Sequence, residues 1–203
     1  MCKYINTFDT NTKFVILMHP KEFKKVKNNT GRFTYLTLEN SELFVGINFS
    51  ENKKINEIID THDSYILFPS SHAVNLSKSN PHAKSQQNPH AKNMAIFLID
   101  STWLCINKML KQSVNLQKLK HMSFDTSRTS QYKIKEQPKS NYLSTMESTL
   151  VVLELLNYWH VEKIEEKDLE GFLNPFIKMI EYQQTLIDNP SNCDVRFRRR
   201  SSE

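Results

Sequence analysis

The sequence predicts an α/β fold: a mainly parallel sheet flanked by helices. Short apolar runs alternate with helical patterns along the chain, and the strongest run, residues 94–99 (MAIFLI), is apolar throughout. A strand is apolar on both faces when helices cover both sides of a parallel sheet. The length of 203 residues fits one ordinary domain.

Five short runs predict the strands of this sheet. Each is rich in β-branched, aromatic or other apolar residues and is followed by a turn or helix signal, as with His19-Pro20 after the first run. The predicted strands cover residues 13–18, 43–47, 65–68, 94–99 and 122–124.

Helical patterns follow these runs. The most convincing helix covers residues 144–160, because Ser144 and Glu147 form the Ser-x-x-Glu capping-box pattern just before an apolar run. Pro175 lies inside the last predicted helix, residues 168–188, and indicates a kink or a restart. Shorter helical segments are predicted at residues 21–27, 30–38 and 103–110.

The sequence divides into three parts. Residues 1–12 are predicted to be a short N-terminal remnant, residues 13–188 a single catalytic domain, and residues 189–203 a basic tail. Within the domain, residues 79–93 are polar and contain the near-repeat Asn-Pro-His-Ala-Lys twice, which predicts a flexible surface insert. The paired histidines of the repeat could instead bind a metal, but a surface loop explains the composition better.

Composition and charge exclude several classes of protein. With 3 glycines and neither G-x-G-x-x-G nor G-x-x-x-x-G-K-[ST], a glycine-rich phosphate loop is excluded. The 3 cysteines form no C-x-x-C pair, so the sequence contains no strong zinc signature. No apolar run approaches the roughly 20 residues that cross a bilayer, so no transmembrane helix is predicted. With no visible signal peptide, we expect a cytoplasmic protein without a membrane partner. The net charge of +5 is compatible with a polyanionic partner and equally with a merely basic surface.

Polar residues follow two of the predicted strands. Pro69-Ser70-Ser71 comes after the run at 65–68, and Asp100-Ser101-Thr102 comes after the run at 94–99. Ligands of open parallel sheets bind beyond the carboxyl ends of the strands. We therefore expect a pocket at this edge, completed by the loop before Ser144.

Several blocks of the sequence, in this order and spacing, resemble the DTW-domain family, the transfer RNA uridine aminocarboxypropyltransferases. The resemblance covers roughly residues 13–160, and Ser101 stands where the family often has glycine. The blocks are His19-Pro20-Lys21-Glu22, Asn29-Thr30-Gly31-Arg32, Leu67-Phe68-Pro69, Ile99-Asp100-Ser101-Thr102-Trp103, Tyr132-Lys133-Ile134-Lys135 and Leu143-Ser144-Thr145-Met146-Glu147.

The resemblance implies a SPOUT-like fold with a trefoil-type knot towards the C-terminus. It also implies S-adenosylmethionine as the donor of a 3-amino-3-carboxypropyl group to N3 of a uridine in tRNA, with release of methylthioadenosine. Many members of the family begin with a cysteine-rich zinc segment, of which only Cys2 could be a remnant here. We expect no zinc from this chain, and a monomer or a weak dimer.

Asp100 is the predicted catalytic residue. It would accept the N3 proton or orient the ammonium group of the donor, and the alternative is that it only caps the following helix. The donor would be bound through backbone groups and apolar walls, although ordinary turn and cap chemistry also explains these residues. Trp103 is expected in the core, and Glu147 is expected to be a cap partner. The predicted donor-binding residues are Phe68, Pro69, Ser70, Ser101, Thr102, Leu143, Ser144 and Thr145.

Two basic stretches are predicted to bind RNA, with a solvated charged surface as the alternative. The first comprises His19, Lys21, Lys24, Lys25, Lys27, Asn29, Thr30 and Arg32, and the second Arg128, Lys133 and Lys135. For His19, a capped strand-end histidine is an equally good interpretation.

Two other functions fit parts of the sequence. A SPOUT-type RNA methyltransferase would use the same donor but transfer its methyl group. A basic RNA-binding or ribosome-associated protein would need no active site. The presence of Asp100, Thr102 and Trp103 beside a proline-containing loop favours an enzyme.

Overall fold

The computed structural model of the protein describes residues 2–25, 29–81, 92–132 and 142–188, apart from the side chains of Lys25 and Trp103. Six parallel strands form one sheet, so the predicted fold class is confirmed. The five predicted strands are observed within two residues of their predicted bounds, and β4 adds a short sixth strand. The strands, in the spatial order β2-β1-β5-β3-β6-β4, are β1 (Lys13–Met18), β2 (Ser41–Val45), β3 (Asp63–Leu67), β4 (Val74–Asn75), β5 (Met94–Asp100) and β6 (Lys120–Ser123).

Seven helices accompany this sheet in the described part of the chain. The predicted break at Pro175 is confirmed, because residues 168–188 do not form one helix but divide between α6 and α7. One helix, α3, was not predicted. The helices are α1 (Pro20–Lys25), α2 (Thr30–Thr37), α3 (Lys53–Thr61), α4 (Trp103–Gln112), α5 (Thr145–Tyr158), α6 (Glu166–Gly171) and α7 (Asn174–Asp188).

Residues 14–18 of β1 and 94–99 of β5 are all apolar because both faces of the sheet are covered. Alternate side chains such as Phe14 and Ile96 face a core cluster that includes residues of α2, α5 and α7. Their neighbours Val15 and Phe97 face a second cluster that includes residues of α3 and α4. This two-sided burial is the arrangement expected for a parallel sheet.

None of the helices in the described ranges is long and apolar enough to cross a membrane. Most of the predicted insert (residues 82–91) and the predicted basic tail (189–203) lie outside the described residues, as do Lys27, Lys133 and Lys135.

A buried carboxylate holds the chain just before β1. Glu162, which follows α5, accepts hydrogen bonds from the backbone N–H of Thr12 at 2.6 Å and of Asn11 at 3.0 Å. Its side chain therefore joins the chain after α5 to the beginning of the central strand.

Replacing Glu162 with Ala should destabilise the fold by about 1–3 kcal/mol, because the N–H group of Thr12 would lose its acceptor inside the protein. Urea unfolding followed by circular dichroism measures this loss. The matched control is Glu170→Ala at an exposed position of α6, which should shift the free energy of unfolding by less than about 0.5 kcal/mol. Equal effects of the two substitutions would contradict the prediction.

Candidate active site

The carboxyl ends of the parallel strands meet at one edge of the sheet, as the sequence predicts. β1 and β5 are neighbours, and the backbone N–H of His19 donates to the carbonyl of Asp100 at 3.1 Å. A cavity of about 720 Å³ opens at this edge. Its size lies within the range of about 300–1,000 Å³ that is typical of small-molecule sites.

Asp100 lines this cavity and is buried, with 7% of the residue exposed. Its Oδ2 accepts a hydrogen bond from Nδ2 of Asn29 at 3.1 Å, and its Oδ1 accepts one from the hydroxyl of Thr145 at 2.8 Å. Asn29 is the N-cap residue of α2, and Thr145 is the first residue of α5. The carboxylate is thus held between the N-termini of two helices, where negative charge is favoured.

The start of α2 approaches Asp100 closely because residue 31 is glycine. A Cβ atom on Gly31 would lie 2.6 Å from Oδ2 of Asp100 and 2.7 Å from its Cγ. No side chain can occupy that space without displacing the carboxylate. The glycine of the Asn29-Thr30-Gly31-Arg32 block therefore has a direct structural reason.

The start of α5 is fixed by the predicted capping box. The hydroxyl of Ser144 accepts from the N–H of Glu147, and the carboxylate of Glu147 accepts from the N–H of Ser144 at 2.8 Å. Glu147 also accepts from the hydroxyl of Ser130 at 2.8 Å and from the N–H of Gln131 at 2.7 Å. The assignment of Glu147 as a cap partner is confirmed, and the same carboxylate fixes the chain that leads to Tyr132.

The structure brings the predicted donor-binding residues together, with one exception. Phe68 and Pro69 form part of an apolar wall, and the segments around Ser101 and Ser144 line the cavity as well. Ser70 does not line it, because the chain turns away there and the carbonyl of Ser70 accepts from the N–H of Ala73. The hydroxyl of Ser101 is buried without a hydrogen-bond partner among the described residues.

Several cavity residues were missed by the sequence analysis. Phe124, Asp125 and Thr126 follow β6 and line the cavity, as do Tyr132 and Tyr142. The sequence contains a signal for Asp125, because this polar residue directly follows the predicted strand at 122–124. Asp125 differs from Asp100 in its surroundings: it is exposed, and a hydrogen bond with Lys78, at 2.9 Å, lowers its pKa.

Tyr132 brings a neutral hydroxyl to the cavity. Its ring packs edge-on against Phe176, with the ring centres 5.5 Å apart. Burial raises the pKa of the Tyr132 phenol, and the negative charges of Glu22 and Asp100 raise it further, against an opposing hydrogen bond with Gln183. The phenol therefore stays protonated near neutral pH and adds no charge to the site.

Three residues predicted to contact RNA are buried instead. Asn29 and Thr30 lie at the start of α2, where Asn29 holds Asp100 and Thr30 lines the cavity. The ring of His19 is buried, and its Nδ1 accepts from the N–H of Lys21 at 3.1 Å. Burial lowers the pKa of His19, so the ring is neutral at pH 7. This geometry fits the alternative interpretation of His19, a histidine whose ring accepts a backbone hydrogen bond at the end of a strand, better than it fits an RNA contact.

The other described basic residues of the prediction lie on the surface. Lys21 and Lys24 are exposed on α1, and the guanidinium of Arg32 stacks over the ring of Phe23 at 4.3 Å. Arg128 is held by the carboxylate of Glu154, with nitrogen–oxygen distances of 2.9 and 3.1 Å. Arg128 thus lies at the surface in an ion pair, and its contact with RNA stays a prediction.

Comparison with known proteins decides the family. The family model of the DTW domain matches residues 1–184. The chain belongs to the DTW-domain family. Two relatives of this DTW domain are proteins called tRNA-uridine aminocarboxypropyltransferase 2, each 27% identical to it: one from Macaca fascicularis over 152 residues and one from Mus musculus over 164 residues.

The aligned regions cover 72% and 77% of this DTW domain chain but 48% and 52% of the two relatives, so the chain spans about half the length of the curated relatives it matches. No solved structure matches the chain. In the described ranges of this DTW domain, no group of three or more His, Cys, Asp or Glu side chains is arranged to hold a metal ion.

Replacing Gly31 with Ala should lower the free energy of unfolding by about 1–3 kcal/mol, because the new methyl group overlaps the carboxylate of Asp100. The matched control is Gly171→Ala, where the nearest atom, Nδ2 of Asn174, is 3.6 Å away and an added Cβ has room. Urea unfolding should show a change below about 1 kcal/mol for the control. Unchanged stability of the Gly31 variant would contradict the close approach of α2 to Asp100.

Proposed function

We propose that this DTW domain is a tRNA-uridine aminocarboxypropyltransferase that uses S-adenosylmethionine. The observation that carries the proposal is the buried carboxylate of Asp100 in the lining of a ligand-sized cavity. The names of the two relatives state the same activity. A protein that only binds RNA would not need a buried, hydrogen-bonded carboxylate facing a cavity, because such a group costs free energy unless it is compensated.

The residues of the cavity fit the proposed donor. S-adenosylmethionine combines an aromatic base with a cationic sulfonium and a zwitterionic amino-acid end. Phe68, Pro69 and Leu98 offer an apolar wall for the base, and Asp100 offers a negative charge for a cationic group. Ser101 adds a polar residue to the lining of the cavity.

Transfer in this site would break the N3–H bond of uracil and one carbon–sulfur bond of the donor, and it would form a carbon–nitrogen bond and a bond from the proton to water. The sulfonium of the donor makes methylthioadenosine a good leaving group. Uracil N3 would give up its proton, ultimately to water, and bond to the donor's chain carbon next to sulfur as that carbon–sulfur bond breaks. N3 is hydrogen-bonded in a base pair, so the target must be an unpaired nucleotide. Holding both reactants in line can contribute about 7–11 kcal/mol towards lowering the barrier.

We propose that Asp100 orients the donor rather than removing the N3 proton. Asn29 and Thr145 donate hydrogen bonds to its two oxygens, and both lie at helix N-termini. These contacts stabilise a negative charge, which suits attraction of the donor's ammonium group better than uptake of a proton. Asn29 and Thr145 then act as positioning residues for Asp100.

The remaining parts of the proposal rest on the family. We propose a SPOUT-like fold with a knot towards the C-terminus. Residues 133–141, which lie between β6 and α5 in the chain, are outside the part that the structure describes. The parallel sheet with a cavity at the carboxyl end of β5 supports this assignment. We further propose that the protein acts on tRNA in the cytoplasm as a monomer or a weak dimer.

The test is transfer of label to unmodified tRNA. With donor labelled in the methionine chain, label should reach uridine, whereas donor labelled in the methyl group should transfer none. Asp100→Asn should lower turnover by about 100-fold or more, while the exposed Asp60→Asn control on α3 stays active. Methyl transfer would identify a methyltransferase instead, and transfer of neither label would contradict the proposed function.

The same variant separates the two roles of Asp100. Weaker donor binding by calorimetry together with lost turnover is expected for orientation of the donor. Unchanged donor affinity with lost turnover would assign Asp100 as the base and contradict the orientation role.

Thr145 should matter through its hydroxyl alone. Thr145→Val removes the hydrogen bond to Oδ1 of Asp100 at constant size, and kcat/KM should fall roughly 10- to 100-fold, as expected for a hydrogen bond to a charged group. Thr145→Ser keeps the hydroxyl and should retain most of the activity. Equal activities of the two variants would show that this bond does not position Asp100.

A further inference from the structure

Helix α4 has one face in the core and one face in solvent. Ile106 and Met109 are buried towards the sheet. Leu104, Lys108 and Lys111 are spaced three or four residues apart, so they lie on one side of the helix, and all three are exposed. We call these three residues the outer face of α4.

Leu104 is unusual because it is an apolar residue almost entirely in solvent. Its side chain is 90% exposed, the highest value among the large apolar residues of the described chain. It also lies in the wall of the cavity that contains Asp100. An exposed leucine at the mouth of an active-site cavity is placed to contact the apolar surface of a ligand that enters the cavity.

The basic part of this face continues onto α1. The positive charges of Lys21 on α1 and Lys108 on α4 both lower the pKa of His19, after the larger effect of burial, and Glu22 opposes them. β1 and β5 are neighbours in the sheet, and α1 and α4 follow them, so both helices begin at the same edge of the sheet. Lysines from two helices thus lie on the side of the sheet where the cavity opens.

These lysines have no carboxylate partner among the described residues, unlike several others on the surface. Lys54, Lys78 and Lys120 each lie within 3 Å of a carboxylate oxygen. Lys21, Lys108 and Lys111 form no ion pair with the part of the chain that the structure describes. Their charge remains available to a polyanion.

We propose that the outer face of α4 docks the single-stranded tRNA segment that carries the target uridine. Lys108 and Lys111 bind phosphates of this segment, and Leu104 contacts a base beside the target at the cavity mouth. The charge and the apolar tip together favour RNA, since an unpaired strand presents phosphates and the flat faces of bases side by side. The inference rests on the proposed function for the identity of the RNA.

The first experiment measures equilibrium binding of unmodified tRNA, without donor, over a series of salt concentrations. The double variant Lys108→Ala/Lys111→Ala should bind about 10-fold or more weakly at 0.15 M salt. The slope of log K against log salt should become shallower by about 1.4, because each lost contact with single-stranded RNA releases about 0.7 fewer counterions. Donor binding should be unchanged and shows that the variant is folded.

The matched control is Lys118→Ala/Lys163→Ala, which removes the same charge at the opposite edge of the sheet. Lys118 precedes the beginning of β6, and Lys163 adjoins Glu162, which contacts the chain before β1. Both side chains are exposed. If the control lowered affinity and slope as much as the α4 variant, or if the α4 variant bound normally, the docking surface would be refuted.

A second experiment isolates Leu104. Leu104→Ala should weaken tRNA binding several-fold and leave the salt slope unchanged, since no charge is removed. Val114→Ala, at an exposed apolar residue just beyond the far end of α4, should have no effect. Normal binding by the Leu104 variant would overturn the role of the apolar tip.

Binding and transfer are scored separately, so the two proposals can fail independently. If tRNA binding depends on Lys108 and Lys111 but no label is transferred, the docking surface stands and the proposed activity does not. If label is transferred but binding ignores the outer face of α4, the surface is refuted and the activity stands. If the Lys108→Ala/Lys111→Ala variant lost binding to phosphatidylserine vesicles but kept tRNA binding, the face would be assigned to a membrane and the proposal would be refuted.

Discussion

The cavity edge of the sheet depends on one buried carboxylate held between two helix N-termini. A charge buried in a protein is costly unless hydrogen bonds and opposite dipoles compensate it. Here the compensation comes from residues that are 71 and 45 positions away from Asp100 in the chain. The starts of α2 and α5 are therefore tied to the end of β5. The N-cap at Asn29, the missing side chain of Gly31 and the capping box at Ser144 all serve this arrangement.

The direction of the strands explains why the other cavity residues gather at the same place. All six strands are parallel, so each carboxyl end contributes its following residues to one edge. β3 provides Phe68 and Pro69, β5 provides Asp100 and Ser101, and β6 provides Phe124. No single segment contains the site. The cavity forms because the sheet order places β5 between β1 and β3.

Local signals in the sequence predicted the parts of the structure that local forces decide. The apolar run of β5, the polar residues that follow it, and the capping box of α5 were all readable, because each depends on neighbours within a few residues. α3 was readable too, since Ile55, Ile58 and Ile59 have helical spacing, but its charged surroundings concealed the pattern. The strand prediction at residues 122–124 would likewise have placed Asp125 at the cavity.

Long-range contacts explain why some residues of the predicted RNA-binding stretches are buried or paired in the structure. A run of basic and polar residues does not reveal which of its members face solvent, so Asn29 and Thr30 were grouped with Lys21 although both are buried and Asn29 donates a hydrogen bond to Asp100. Arg128 has its partner Glu154 on a different element, 26 residues away. Clustered charge in the sequence predicted which residues bind RNA. In the structure, the proposal instead depends on exposed lysines that form no ion pair among the described residues.

The resulting charge distribution separates the two proposed substrates. Negative charge lies inside the cavity at Asp100, and the neutral phenol of Tyr132 does not offset it. Positive charge lies outside, on α1 and α4. A cationic donor is drawn inwards, whereas a polyanionic RNA backbone is held at the rim and only its uncharged base is free to enter. With negative charge inside the cavity and positive charge around it, phosphate is kept away from Asp100, where like charges would repel, and a base is brought to the donor.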